Sequence, residues 1–581
     1  MKQLLFKHRN RIISVCLCAV LGICLLSGCK RKESFSDFLN QLFKDEVSAN
    51  TINLHFTLQN PKEYGIKSYA ISYGDISKKA RKEQLKAIQE TKLKLLTYPY
   101  LTLDKNEQLT YDIMNDYLDT TLRLNQYELY TEMLAPNNGL QIQLPILMAE
   151  YQFTCEQDVK DYLKLLSITD EYYVQIIDFE QEKADAGLFM SDSACMGVIE
   201  SCESFLETKD NSFMVSTFEN RLREVGGLSE KDISKYIKEN ASILEKQFFP
   251  AYEYLIAELT DLLGSGTNDL GLCYYDNGAD YYELLVYSET GCDHSIGDIF
   301  NAIDSQRNKD LIICADLQEK DETILDRCSS LEWELDDPNE MLLLLQAKME
   351  NDFPSLPDTS YEISYVDKAL EEFLSPAFYI TAPIDNYNQN SIYINNSSIY
   401  TDIYCFTTLA HEGFPGHLYQ TVSSYKYGLP PIRSIMDYSG YVEGWATYVE
   451  FLSYDYADAD KDITTFLAHN QAATLSLYAT SDIGLHYYGW TQDDMLNFWE
   501  SYGITDEATI REITEYILSE PGNYLSYYVG YLQFLELRDY TKQLYGSDFS
   551  LKEFHQTVLE IGPAPFHIIE KYIPEYYSVP N

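Results

Sequence analysis

The chain has 581 residues, 45% of them hydrophobic, a globular composition in a chain too long for one core of ordinary size. With 91 Asp+Glu against 43 Lys+Arg its formal net charge is −48, which argues against binding to nucleic acid or to anionic lipid headgroups. Twelve cysteines with no C-x-x-C pair among those after Cys29 give no thiolate metal motif.

The N-terminus reads as an export signal. Lys2, Lys7, Arg9 and Arg11 form a positive region, and Ile12 to Leu26 form an apolar run of about fifteen residues, short for a membrane span. The run closes on Leu26-Ser27-Gly28-Cys29, which looks like a bacterial lipobox. Residues 1–28 are therefore expected to be a lipoprotein signal peptide, and Cys29 the lipidated first residue of a short tether over 29–36. An uncleaved anchor is the alternative. Because a single acyl chain holds a protein only marginally, the expected anchor is of the diacylglyceryl type. The expected location is the extracytoplasmic face of the cell membrane, held by lipid alone. Export permits disulfides among the eight later cysteines, and their pairing is left open.

From there the pattern is mainly helical. Asn106 to Leu134 and Ser229 to Leu263 carry apolar residues at three- and four-residue spacing, and Ser229 with Asp232 opens the second stretch as a capping pair. Gly271 to Thr290 reads as short aromatic strands around a turn at Asp276-Asn277-Gly278. Leu317 to Asp352 reads as helix. Tyr361 to Tyr365 and Ala377 to Asn395 are the strand candidates, with Ser391 to Asn395 alternating as a half-buried strand does. Beyond Tyr400 helix returns, punctuated at Pro430-Pro431, Pro521-Gly522 and Pro563. The expected fold is mainly α with a small mixed β-sheet. Residues 37–355 form an N-terminal helical region and 356–581 a C-terminal region that carries the chemistry.

That chemistry centres on His411-Glu412-Gly413-Phe414-Pro415-Gly416-His417. A hydrolytic zinc site needs imidazole or carboxylate ligands, an open position for water and a base beside it. His411 and His417 supply two ligands, Glu412 the base, and Glu443 on a later helix is the natural third ligand, with Glu450 as its rival. The common zincin spacing puts two histidines four apart, roughly 40° around a helix. Six apart, they stand roughly 120° apart on a regular helix and cannot share a face. Pro415 lacks an N–H for the His411 carbonyl, and Gly413 and Gly416 allow unusual dihedrals, so a break here can swing His417 back beside His411. The plain alternative is a helix end with two capping histidines.

Several separate stretches resemble the bacterial domain-of-unknown-function family 885, grouped with the gluzincin-type zinc peptidases. They are Gly271-Leu272 with Asn277-Gly278, Tyr282 and Thr290; the His411 to His417 segment with Gln420; Glu443-Gly444-Trp445-Ala446; Asp482 to His486 with Gly489-Trp490; Pro521-Gly522 with Tyr527 and Gly530; and Phe554-His555 with Leu559, Gly562 and Pro563. Together they span roughly residues 270 to 570. Leu418 stands where many members carry another histidine, and Asn523-Tyr524 where a Gln-Ala pair is common. The resemblance implies a gluzincin-like fold of two helical halves around a central groove. It also implies one zinc ion held by His411, His417 and Glu443, with Glu412 activating water. Tyr527, His486 and His555 suit oxyanion or ligand-orienting donors, and Arg538 is a candidate partner for a substrate carboxylate.

The expected activity is that of a membrane-anchored zinc metallopeptidase acting on a peptide or small amide. The competing readings are a lipid-anchored peptide-binding protein with a decayed metal site and a hydrolase of non-peptide amides or esters.

Overall fold

Capping residues and apolar periodicity set most of the chain as helix, joined by a single three-stranded mixed sheet among the described residues. The computed structural model describes residues 33–579 apart from 332, 334, 358, 367, 369–370, 372–374 and 397–401. The predicted signal peptide and Cys29 lie outside the described residues. Among the described residues no helix is long and apolar enough to cross a membrane.

Helix α1 (Lys105–Leu124) starts on a capping box between Asp104 and Glu107. It ends ten residues short of the predicted Leu134, because the chain tightens into a 3₁₀ turn over Asn125–Tyr130. There Tyr127 and Tyr130 pack on Tyr281, with ring centroids 5.6 and 4.9 Å apart. Helix α2 (Leu140–Glu150) follows. The Ser229–Asp232 capping pair forms as expected at the head of α3 (Glu230–Ile243). A π turn over Leu244–Phe248 then leads into α4 (Phe249–Leu262). Pro250 has no N–H to give to the preceding turn, and the wider turn accommodates that gap.

Two predictions fail in the middle of the chain. Gly271 to Thr290 is a 3₁₀ turn at Leu272–Tyr274 followed by helix α5 (Gly278–Thr290), with no strand in it. Asn277 does turn the chain, with φ of 58°, but the turn starts a helix whose buried side chains include Tyr281, Tyr282, Leu284 and Val286. Aromatic content, the basis of the strand expectation, reflects burial here and not strand geometry. The helix expected over Leu317 to Asp352 is broken: α6 (Ile296–Lys320) starts earlier on Ser295, and α7 (Pro338–Met349) starts anew. Asp337 caps α7, accepting from the Asn339 N–H at 2.8 Å, and Pro338 sits where a helix needs no N–H.

The sheet stands where the alternation put it. Strand β1 (Tyr361–Tyr365) pairs in parallel with β3 (Asn390–Ile394), and β2 (Ala377–Ile380) pairs antiparallel with β3 on its other side. Along β3 Asn390, Ile392 and Ile394 are buried and their neighbours are not. After the sheet come α8 (Ile403–Glu412), α9 (His417–Lys426), α10 (Ser439–Ser453), α11 (Lys461–His486), α12 (Asn523–Tyr545) and α13 (Leu551–Ile561).

The largest buried apolar cluster joins Phe35, Leu39 and Leu118 to Leu342, Phe406, Trp445 and Phe554. A second gathers residues between Ile52 and Leu262 and takes in Phe378 of β2. Burial of each large side chain contributes about 1.5–3 kcal/mol, so these clusters fix the helices that carry the site. The eight cysteines among the described residues are free thiols.

Candidate metal centre

Asp402 caps α8 by accepting from the N–H groups of Tyr404 and Cys405 at 2.9 and 3.1 Å. Phe406, Leu409 and Ala410 bury one face of that helix and leave His411 and Glu412 in its last turn, lining a cavity of about 580 Å³. At Gly413 the helix stops. The chain runs through a cis Phe414–Pro415 bond and restarts as α9 with His417 as its first residue. The Pro415 carbonyl accepts from Trp445 Nε1 at 2.9 Å, which ties the break to α10. At Gly416 a Cβ would stand 1.8 Å from the His411 carbonyl oxygen, so only glycine permits the fold-back. The interruption expected from Pro415 and the two glycines is present, and it removes the angular separation that a continuous helix would impose.

Glu443 arrives on α10. Where α10 meets α12 a Cβ on Gly444 would lie 2.4 Å from the Gly530 carbonyl carbon, so the two backbones touch and Glu443 and Tyr527 face the same cavity. One potential ligand atom from each of His411, His417 and Glu443 lies within 4.8 Å of the others. Glu443 Oε2 is 3.7 Å from His411 Nε2 and 3.5 Å from His417 Nε2. Ligand atoms around a tetrahedral zinc, with bonds of about 2.0–2.1 Å, stand about 3.4 Å apart. The donor set therefore fits such an ion in size and in chemistry.

Glu450, weighed from sequence as a rival ligand, does something else. Its Oε2 is 2.9 Å from His411 Nδ1, and its Oε1 accepts from Gln471 Nε2 at 2.7 Å. With a metal bound, proton donation from Nδ1 to Glu450 would fix the tautomer whose Nε2 can ligate. Glu412 Oε2 accepts from the Tyr379 N–H of β2 at 2.9 Å, which orients the carboxylate. No sequence pattern marked Gln471 or Tyr379, because both reach the site only through tertiary contact.

Electrostatics agree with a polar cluster sunk in low dielectric. Burial pushes His411 down, but the Glu443 carboxylate at 3.7 Å and the hydrogen bond to Glu450 at 2.9 Å outweigh it and hold the imidazole well above its ordinary value. Burial raises Glu412 above the usual carboxylate range despite both imidazoles nearby. Burial works the same way on Glu443, yet the charge of His417 at 3.5 Å and the nearby His411 imidazole win and lower it.

Tyr527 on α12 lines the cavity, its ring roughly parallel to that of His411 at 6.3 Å. His486 and His555 do not come to the site, which corrects the expectation that they donate there. His486 Nδ1 accepts from the Leu272 N–H at 3.2 Å, and its Nε2 lies 3.0 Å from the Ile517 carbonyl. His555 sits between the Asp352 carbonyl at 2.6 Å and the Tyr448 hydroxyl at 3.0 Å, stacked on Phe353. Burial depresses them to about 4 and about 3, so both are neutral structural rings. Arg538 does not line the cavity; its guanidinium lies 5.8 Å from the Tyr448 ring.

Three comparisons bear on this arrangement. The profile of the family described as bacterial protein of unknown function (DUF885) matches residues 62–573, reaching further toward the N-terminus than the stretches that carry the sequence resemblance. No curated protein matches the sequence. Solved structures that share the fold include two candidate lipoproteins. A candidate lipoprotein from Colwellia psychrerythraea superposes with a TM-score of 0.83 at 19% identity, over 94% of this chain and 99% of that one. A candidate lipoprotein of unknown function from Shewanella oneidensis gives 0.66 at 16% identity, over 93% and 100%. At such identities the likeness is one of fold alone. The family match covers most of the sequence, and the chain belongs to that family.

Proposed function

We propose that this member of the family is a zinc metallohydrolase that cleaves peptide bonds, anchored to the membrane by lipid on Cys29. One observation carries the reading. Across a helix break, His411 and His417 converge with Glu443 in a cavity that also holds Glu412, while Glu450 orients the first imidazole.

His411 Nε2, His417 Nε2 and a Glu443 oxygen would hold the metal. Zinc, when bound, supplies Lewis-acid polarisation of a carbonyl and activation of water near neutral pH. Glu412 accepts the proton of the attacking water and delivers it to the leaving nitrogen. The Tyr379 N–H holds one of its oxygens and leaves the other for that proton. Tyr527 donates its phenolic proton to the oxyanion, a contact of a kind that contributes about 3–4 kcal/mol. The cavity walls come from elements between α2 and α12. The substrate class is a peptide or small amide.

Metal analysis of the purified full chain tests the centre. About one zinc per chain is expected in the wild type and a large loss in His411→Ala. Equal zinc in both would remove the reading. The anchor is tested separately, by labelled palmitate incorporation in the wild type and its absence in Cys29→Ala.

A further inference from the structure

The same cavity contains a charge that the chemistry above does not use. Arg433, on a 3₁₀ turn at Pro431–Ile435, is only 3% exposed and lines the cavity with His411 and Glu443. Among the described residues it is the sole arginine or lysine lining that cavity. Its Nη2 donates to the Pro563 carbonyl at 2.6 Å, and its Nε has no partner. Among the described residues no carboxylate pairs with it; the ionisable groups acting on it are the phenols of Tyr438, Tyr441 and Tyr576. Burial pushes the guanidinium down to about 10, which still leaves it protonated at neutral pH.

A buried cation without an anion is costly, because desolvation is not repaid by an ion pair. The other two buried cations among the described residues are paired: Arg307 meets Asp304 at 2.5 Å, and Lys183 sits with Glu180 and Glu132. Arg433 departs from that pattern at a cavity wall, where an incoming ligand can supply what the protein does not. The guanidinium is a planar fork of donors, the geometry that fits a carboxylate.

We infer that Arg433 is the anion-recognition residue of the cavity and that the substrate presents a carboxylate to it. The inference rests on the hydrolase reading of this cavity. It narrows the substrate class to peptides whose free C-terminus, or an acidic side chain, lies within reach of the scissile bond. Arg433 is a specificity residue for binding and takes no part in proton transfer.

The test uses the zinc-loaded full chain in detergent, in a Glu412→Gln background to suppress turnover, and equilibrium binding of three peptides: tri-alanine, tri-alanine amide and Ala-Glu-Ala amide. A charge-assisted pair should make at least one carboxylate-bearing peptide bind roughly 10- to 100-fold tighter than tri-alanine amide. Preference for tri-alanine identifies the C-terminus, and preference for Ala-Glu-Ala amide identifies the side chain. In Arg433→Met the ratio should fall to about one, and in Arg433→Lys only part of it should survive, because an ammonium is a point charge without the fork. If Arg433→Met does not fold, the wild-type ratio and its partial loss in Arg433→Lys decide the matter. Equal binding of all three peptides, no binding of any, or a full preference in Arg433→Met overturns the inference. Zinc content and turnover of the unsubstituted chain separate it from the hydrolase reading. Turnover without carboxylate preference sinks the inference alone, whereas Arg433-dependent preference without zinc or turnover sinks the hydrolase.

Discussion

His411 and His417, both close to Glu443 of α10, and His486 and His555, elsewhere in the same half of the chain, all fall in stretches that resemble the family. They differ in what their ring nitrogens meet. In the first pair the partners are carboxylates, Glu443 and Glu450, brought from another helix to a cavity wall. In the second pair most partners are backbone groups, Leu272, Ile517 and Asp352, and the rings are sealed in the core. A carboxylate can hold a charged ring or share a cation with it. A backbone carbonyl or amide fixes one neutral tautomer and leaves nothing to titrate or ligate. A histidine in a signature position is therefore chemical or structural according to its partners, not its motif.

The contrast can be broken most directly at Glu412. In Glu412→Gln, kcat should fall by about 10²–10⁴-fold with zinc content unchanged; near-normal turnover in that variant would show that the carboxylate is only a structural anchor for β2. On the structural side, His555→Ala should cost about 2–4 kcal/mol of stability, since it leaves a cavity and removes the hydrogen bonds to the Tyr448 hydroxyl and the Asp352 carbonyl. Denaturant melts read that loss, and zinc stoichiometry of the folded fraction should not move. A dependence of zinc content on His555 would erase the distinction.

Glu450→Gln sharpens the contrast from the other side. The amide can still meet His411 Nδ1 but loses the charge, and metal affinity should fall about 10–100-fold by competition with a chelator, with little change in the melt. The smallest effect is one of pH. His555 is depressed in the folded chain to about 3 and is near 6.5 when unfolded, so the unfolded state binds the proton first as pH falls. Its share of stability is complete above about pH 6.5 and is lost as pH drops toward 3. Between about pH 6.5 and pH 5 that loss is about 2 kcal/mol at most. A His555→Gln chain should show a flatter stability profile over that window than the wild type, and parallel profiles would contradict the assignment.

Local rules carried much of the fold. The Ser229–Asp232 cap, the alternation of Ser391 to Asn395 and the break at Gly413 to Gly416 were all legible, because each depends on residues a few positions apart. The strand reading of Gly271 to Thr290 failed for the complementary reason. Tyr281 and Tyr282 are aromatic because they are buried against other elements, and burial is not a local property. Arg538 was the sequence candidate for a substrate carboxylate, and Arg433 occupies the cavity instead. Nothing near Pro430-Pro431 in the chain marks a cation whose counter-ion is missing.

By itself the sequence determined the export-signal pattern, the mostly helical class, the helix interruption and the short roster of side chains able to bind a metal. Only the tertiary structure decided which of those side chains share a cavity, which carboxylate ligates and which orients, and which histidines are sealed away. The physical reason is one of range. Caps, breaks and periodicity are governed by backbone sterics over a few residues. The protonation and partners of His411, His486 and Arg433 depend on groups tens to hundreds of positions distant, brought within hydrogen-bond reach only by core packing.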